Sequence, residues 1–181
     1  MRSMRGKLLI AAPVLVDPNF HRTVVILAAH DEAGAMGLVL NRPSETTVAE
    51  AIPELAYLAE ADAPLQLGGP VAPESAIVLA EFTDTSLAAV TIFGNVGLPA
   101  AGSDMDELQA GVRRARVFAG HAGWGPGQLD AELAEEAWFI GELAPDELWH
   151  DPAHGLWSST LQRLGGRYAL IARMPQDPSV N

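Results

Sequence analysis

The sequence predicts an α+β fold: a mixed, largely antiparallel sheet, strongly twisted or closed towards a barrel, with helices on its flanks. Three observations predict it. Apolar, strand-like runs recur from Leu8 to Ala172. Several of them pair across short polar turns, which argues against a purely parallel βαβ array. Capping signals place helices between the strand groups. A chain of 181 residues has room for one substantial core and is short for two, so residues 1–181 are read as one domain.

Lys7 to Ala12 is a continuous apolar run ended by Pro13, the pattern of a buried strand. Thr23 to Ala29 is rich in Val and Ile; Asp31 to Ala35 supplies turn chemistry; Met36 to Leu40 then returns as the partner strand of a hairpin that ends at Asn41-Arg42-Pro43. Thr47-Val48-Ala49-Glu50 has capping-box spacing, so a helix starts there and Pro53 ends or kinks its first segment, with a second piece to Ala61. Leu65 to Leu67 is a short strand entering the tight turn Gly68-Gly69-Pro70-Val71. Ala76 to Glu81 and Leu87 to Phe93 read as a second hairpin around Thr83-Asp84-Thr85. Ser103 to Asp106 opens a helix that stops near Gly111.

Ala115 to Ala119 is a further strand, followed by a glycine-rich loop from Gly120 to a helix opening at Gln128. In that helix Leu129, Leu133, Ala137 and Ile140 recur every three or four residues as a buried face. Leu156 to Leu164 is the last helix, closed by Gly165-Gly166, and Tyr168 to Ala172 reads as a final strand.

The chain carries 11 Lys and Arg against 23 Asp and Glu, a formal charge of −12. That sign repels phosphate backbones and anionic lipid, which argues against direct nucleic-acid binding despite the cluster Arg113, Arg114 and Arg116. The absence of cysteine removes disulfides, thiolate nucleophiles and Cys-ligated metals. Pro13 interrupts the first apolar run and no small-x-small cleavage site follows, so no secretory leader is predicted. No apolar stretch approaches the roughly 20 residues of a membrane span. A cytoplasmic location and no membrane partner are the expectations.

The loop Gly120-His121-Ala122-Gly123-Trp124-Gly125-Pro126-Gly127-Gln128 sits where a strand hands over to a helix, a common ligand position in α/β proteins. Its glycines expose backbone N–H groups, but Asp130, Glu132, Glu135 and Glu136 load the following helix with negative charge and no Walker lysine is present, so a neutral or weakly polar ligand suits it better than a triphosphate. Trp124 offers a stacking face and Gln128 a hydrogen-bonding amide. The same residues equally describe a tight turn with a buried Trp124 and a Gln128 cap, the preferred reading.

Asn41 and Arg42 offer an amide and a guanidinium that suit an acidic ligand, and a turn pinned by a nearby acid is the preferred alternative. Gly68 and Gly69 either approach a cleft or serve a turn needing positive φ. The candidate ligand-binding residues are therefore Asn41, Arg42, Gly68, Gly69, His121, Trp124, Gly125, Gly127 and Gln128.

No catalytic set is complete. His121 has an acid–base pKa range but no partnered Ser or Asp motif. His150 and His154 are four apart, yet Asp151-Pro152 between them marks a turn, so neither a metal site nor a cofactor is predicted.

Taken together, the blocks Gly6 to Pro13, Asp17-Pro18-Asn19-Phe20 with Arg22-Thr23-Val24, Gly34 to Pro43, Gly68-Gly69-Pro70-Val71, Gly120 with Gly123 to Leu129, and Asp177 to Asn181 resemble the YqgE/AlgH family of bacterial proteins. They occur in the family's order across nearly the whole chain. One position departs: the residue after Gly120 is commonly Tyr in such proteins and is His121 here. The resemblance implies a compact single-domain α+β fold built around mixed β-structure. It also implies a regulatory role, since the family name is tied to regulation of alginate synthesis and its members, largely uncharacterised, carry the label of transcriptional regulators. The expected function is a non-catalytic binding or regulatory module for an unidentified small molecule or protein. The alternative is an enzyme acting on a small polar metabolite in a cleft between the Gly68 and Gly120 loops. The oligomeric state is left open.

Overall fold

A continuous apolar strand needs neighbours above and below as well as beside it, and the first two strands obtain all of these. In the computed structural model, which describes residues 3–144, 147–149 and 155–175, β1 (Lys7–Ala11) lies beside β2 (Val24–Asp31), with every residue from Leu8 to Ala11 fully buried. Strand alternation sends Leu8 and Ile10 into one core and Leu9 and Ala11 into another. β2 returns through the turn at Gly34 into β3 (Gly34–Val39), the predicted hairpin. β4 (Pro43–Thr47), which the sequence did not announce, follows and pairs with β5 (Pro64–Leu67). Between them Thr47 and Glu50 make the expected capping box of α1 (Val48–Ala51), and Pro53 opens a 3-10 segment that ends at Leu58.

β6 (Val71–Phe82), β7 (Ala88–Phe93) and β8 (Val96–Pro99) lead to α2 (Met105–Gly111), whose N-cap Asp104 accepts from the backbone N–H groups of Asp106 and Glu107. β9 (Val112–Trp124), α3 (Gln128–Ala134), β10 (Trp138–Glu142), α4 (Leu156–Leu164) and α5 (Gly166–Ile171) complete the order. The sheet runs β10-β1-β2-β3-β9-β6-β8-β7, with β5 parallel to β9 and β4 on β5. It curls into a half-barrel with helices on its flanks. α4 packs into the curl through Leu156, Trp157 and Leu161, against Leu8, Ile26 and Phe118.

Four expectations need correction. Ala76–Glu81 and Leu87–Phe93 are strands but not each other's partners: β7 folds back through Gly94 onto β8, and β8 inserts between β7 and β6. Asp84 caps a short 3-10 turn at Thr85–Leu87 instead of closing a hairpin. The segment Gly120 to Trp124 is the end of β9 and not loop, since its backbone pairs with Val71 and with Ala35 to Gly37. The helix after it ends at Ala134, so Ala137 lies beyond it and Ile140 sits on β10, 47% exposed. Finally, Tyr168 to Ala172 falls on and just after α5 and not on a strand, because Phe139 and the α4 face supply its apolar contacts.

β9 switches neighbours along one of its sides. β5 lies beside Phe118 and Ala119, and β3 lies beside Ala122 to Trp124. At the switch, Gly68 N–H donates to the Ala119 carbonyl while the Gly68 carbonyl accepts from Val39 N–H. A Cβ on Gly68 would stand 2.2 Å from the Gly120 carbonyl oxygen, and one on Gly69 (φ +149°) would stand 2.2 Å from the His121 carbonyl carbon. Gly68→Ala is therefore expected to lower unfolding free energy by about 3 kcal/mol or more in urea titration, since backbone cannot yield as a side chain does. Gly127→Ala, at φ +71° with nothing within 4 Å of the added carbon, should lose only about 1 kcal/mol. Equal losses would contradict this account.

Candidate functional site

The glycine-rich segment builds a tryptophan clamp instead of an open loop. Along β9, Ala122 and Trp124 face the core shared with β1 and β2, while His121 and Gly123 face the other way. Trp124 is buried against Trp138 and Phe20, with ring centroids 5.9 and 6.3 Å away. Both indole N–H groups donate to one carboxylate oxygen, Glu132 Oε2, at 2.8 Å. Gln128 donates from Nε2 to Glu132 Oε1 at 2.9 Å and accepts from Gly125 N–H at 3.0 Å. Gly127, left-handed at φ 71°, is the N-cap position of α3. Trp124, Gly125, Gly127 and Gln128 are thus brought together, with stacking face and amide both engaged inside the protein. Glu132, read from sequence as one more surface acid, is the centre of the group. Its spacing to Gln128, one helical turn, was the available signal.

His121 and Trp124 point to opposite faces of β9 and cannot line one wall. His121 stands beside Gly69 and is paired in register with Val71.

Asn41 and Arg42 lie elsewhere, at the open end of the β2–β3 hairpin. Antiparallel pairing forces the residues just before β2 and just after β3 together, which is the signal that would have added His21 and Arg22 to the candidates. Asn41 pins the two: its Oδ1 accepts from Val24 N–H at 2.9 Å and its Nδ2 donates to the Arg22 carbonyl at 2.8 Å. Arg42 donates to the His21 carbonyl. The Arg22 guanidinium donates to the carbonyls of Met174 and Pro175 and stacks on Trp157, 4.4 Å from the ring centroid. Trp157 is itself fixed by donating to the Ala11 carbonyl at 2.8 Å.

His21, Arg22, Asn41, Arg42, Trp157 and Ser158 line a depression of about 310 Å³. Among the described residues no carboxylate pairs with either arginine; carbonyls are their partners. Burial pushes both guanidiniums below their ordinary value. Arg22 also holds φ 54°, a left-handed conformation costing a residue with a side chain about 1 kcal/mol. Arg42 and Gly69 share a neighbouring depression of about 290 Å³ with Pro18, Val39 and Leu67.

The cluster Arg113, Arg114 and Arg116 is not an open basic patch. Arg114 Nε donates to Glu81, and Arg113 approaches the same carboxylate at 3.6 Å. Burial of Glu81 opposes its charge, but Arg114, with Asn95 and Arg113, outweighs this and holds its carboxyl below the usual range. Among the described residues no group of three His, Asp or Glu could hold a metal ion. His150 and His154 lie outside the described residues, as do Asp177 to Asn181. Among the described residues no helix is long and apolar enough to cross a membrane.

The profile of the AlgH-like family matches residues 8–169. The chain belongs to that family. It is similar to a UPF0301 protein of Streptomyces coelicolor, 40% identical over 99% of this chain and 96% of the relative. It is also similar to one of Chlorobaculum tepidum, 37% identical over 97% and 95%. Among solved structures, the AlgH protein of Pseudomonas aeruginosa superposes with TM-score 0.72 at 32% identity over 96% and 95% of the two chains. A Corynebacterium diphtheriae protein reaches TM-score 0.83 at 26% identity over 93% and 91%. The names of these relatives state no ligand or reaction.

Two outcomes follow for this AlgH-like chain. Glu132→Ala leaves two buried indole N–H groups without an acceptor and should lower unfolding free energy by about 2 kcal/mol or more, whereas Gln128→Ala should lower it by about 1 kcal/mol at most. Indole fluorescence during denaturation reads both. For Glu81, a depressed folded pKa means stability present above the unfolded value of about 4.3 and lost as pH falls through the folded one. Glu81→Gln should therefore flatten the loss of stability between about pH 5 and pH 3, and an unchanged profile would remove Glu81 from the acid response.

Proposed function

We propose that this chain is a non-catalytic binding module, and that its ligand or partner presents an acidic group to Arg22 and Arg42. One observation carries the reading: in a chain of net charge −12, two half-buried guanidiniums share a depression in which, among the described residues, carbonyls are their hydrogen-bond acceptors. Burial already works against these charges. An entering carboxylate or phosphate would restore the counter-charge, and guanidinium geometry favours bidentate contact with both. The overall negative field is screened within about 8 Å at physiological salt, so a small anion can settle where a long polyanion is repelled. That distinction favours a small acidic metabolite or an acidic peptide end over DNA, and it leaves the family's regulatory label compatible with indirect action.

The enzyme alternative has less support. Both amide groups of Asn41 are committed to backbone, and His121 and Trp124 face opposite ways.

The test is a thermal-shift and calorimetric titration with citrate and pyrophosphate. At a ligand concentration about a hundredfold above Kd the melting temperature should rise by roughly 5 °C or more. Arg42→Gln should weaken binding at least about tenfold, and added salt should weaken it in the wild type. A folded wild type that responds to neither anion, or an Arg42→Gln variant that binds as well as wild type, would overturn the reading.

A further inference from the structure

The depression at Arg22 and Arg42 adjoins the one that holds Leu67, and Arg42 lines both. Two stretches of chain lead from one into the other. Asn19 lines the second depression and His21 the first, and Val39 lines the second while Asn41 lines the first. Residues two apart lie at most about 7 Å from each other, so a small molecule can reach from one depression into the next.

The walls differ in kind. The first offers guanidinium N–H groups: Arg22 and Arg42 make their hydrogen bonds through Nη2, which leaves Nε and Nη1 of each without an acceptor among the described residues. None of these nitrogens is sealed from solvent. The second offers hydrocarbon from Val39, Leu67, Pro18, Pro70 and Pro73. Leu67 is 48% exposed there, although Gln66 before it on the same strand is buried. Proline has no N–H, so the three prolines present ring surface and no backbone donor. The volume of about 290 Å³ is ample for one ring, since a cavity of about 150 Å³ accepts benzene. In a chain with 23 acids, no Asp or Glu is among the described residues lining either depression.

We propose that the ligand is an amphipathic monoacid, with one carboxylate on the open N–H groups of Arg22 and Arg42 and a short apolar body, ring or alkyl chain, over Val39, Leu67 and the prolines. The inference rests on the reading that an acidic group binds at the two arginines, and it names the rest of that molecule. It also decides against ligands charged at both ends, because a second carboxylate would have to give up water against a hydrocarbon wall.

The test compares hexanoate with acetate, the same head without the body, and with adipate, the same body with a second carboxylate, by ligand-observed saturation-transfer NMR at fixed ionic strength. Each methylene taken out of water gains about fourfold in affinity, so hexanoate should bind at least about tenfold more tightly than acetate with its chain only half covered. It should also bind at least about fivefold more tightly than adipate, whereas attraction by charge alone would rank adipate first. Leu67→Ser should weaken hexanoate at least about threefold, and Arg42→Gln at least about tenfold. Hexanoate no tighter than acetate, or adipate tighter than hexanoate, would overturn the inference. Pyrophosphate binding to the same protein would then leave the acidic-group reading standing, and its absence would remove both. Hexanoate affinity unchanged by either substitution would overturn the inference as well, by placing the acid elsewhere. Should Arg42→Gln fail to fold, the wild-type ranking of the three acids and Leu67→Ser decide.

Discussion

The architecture hangs on one backbone crossing, the place where β9 exchanges β5 for β3 as its neighbour. Gly68 bridges the two through its N–H to Ala119 and its carbonyl to Val39, and Gly69 and Gly120 let the chains pass at separations no side chain would allow. Were the exchange blocked, β5 could not lie parallel to β9, and the hairpin end carrying Arg22 and Arg42 would lose its present position beside β5. The crossing also explains why so much glycine gathers here without forming a phosphate cradle: the N–H and carbonyl groups of Gly68 are consumed by neighbouring strands.

The same crossing marks the limit of what could be read from the chain. Local signals were legible: the capping box at Thr47 and Glu50, the Asp104 cap, the β2–β3 hairpin and the start of α3 at Gln128 all stand where residue chemistry put them. What failed were decisions made by distant partners. β8 is four residues long and identifies itself only by fitting between β6 and β7. Gly120 to Trp124 looks like loop until Val71 and Met36 are found beside it. Tyr168 to Ala172 is a short apolar run, equally suited to strand or helix, and its packing on Phe139 decides the matter.

The candidate site was half legible for the same reason. Asn41 and Arg42 were read as a pair just past a strand, and in place of the acid partner preferred for Arg42 stands the His21 carbonyl. Trp124 and Gln128 were read together, though as parts of a loop, and the residue that organises them, Glu132, was hidden among acids of similar appearance. Strand periodicity puts His121 and Trp124, three apart, on opposite faces. That step required knowing that the segment is a strand.

The distribution of cations sets Arg22 and Arg42 apart. Lys7, Arg113, Arg114, Arg163 and Arg167 all meet carboxylates, as expected in a chain with twice as many acids as bases. Arg22 and Arg42 are held by carbonyls and an indole face, which fix their geometry, and among the described residues no carboxylate meets their charge. Arg114, by contrast, meets the Glu81 carboxylate. Charge complementarity is therefore what the proposed binding of an acidic group at Arg22 and Arg42 rests on.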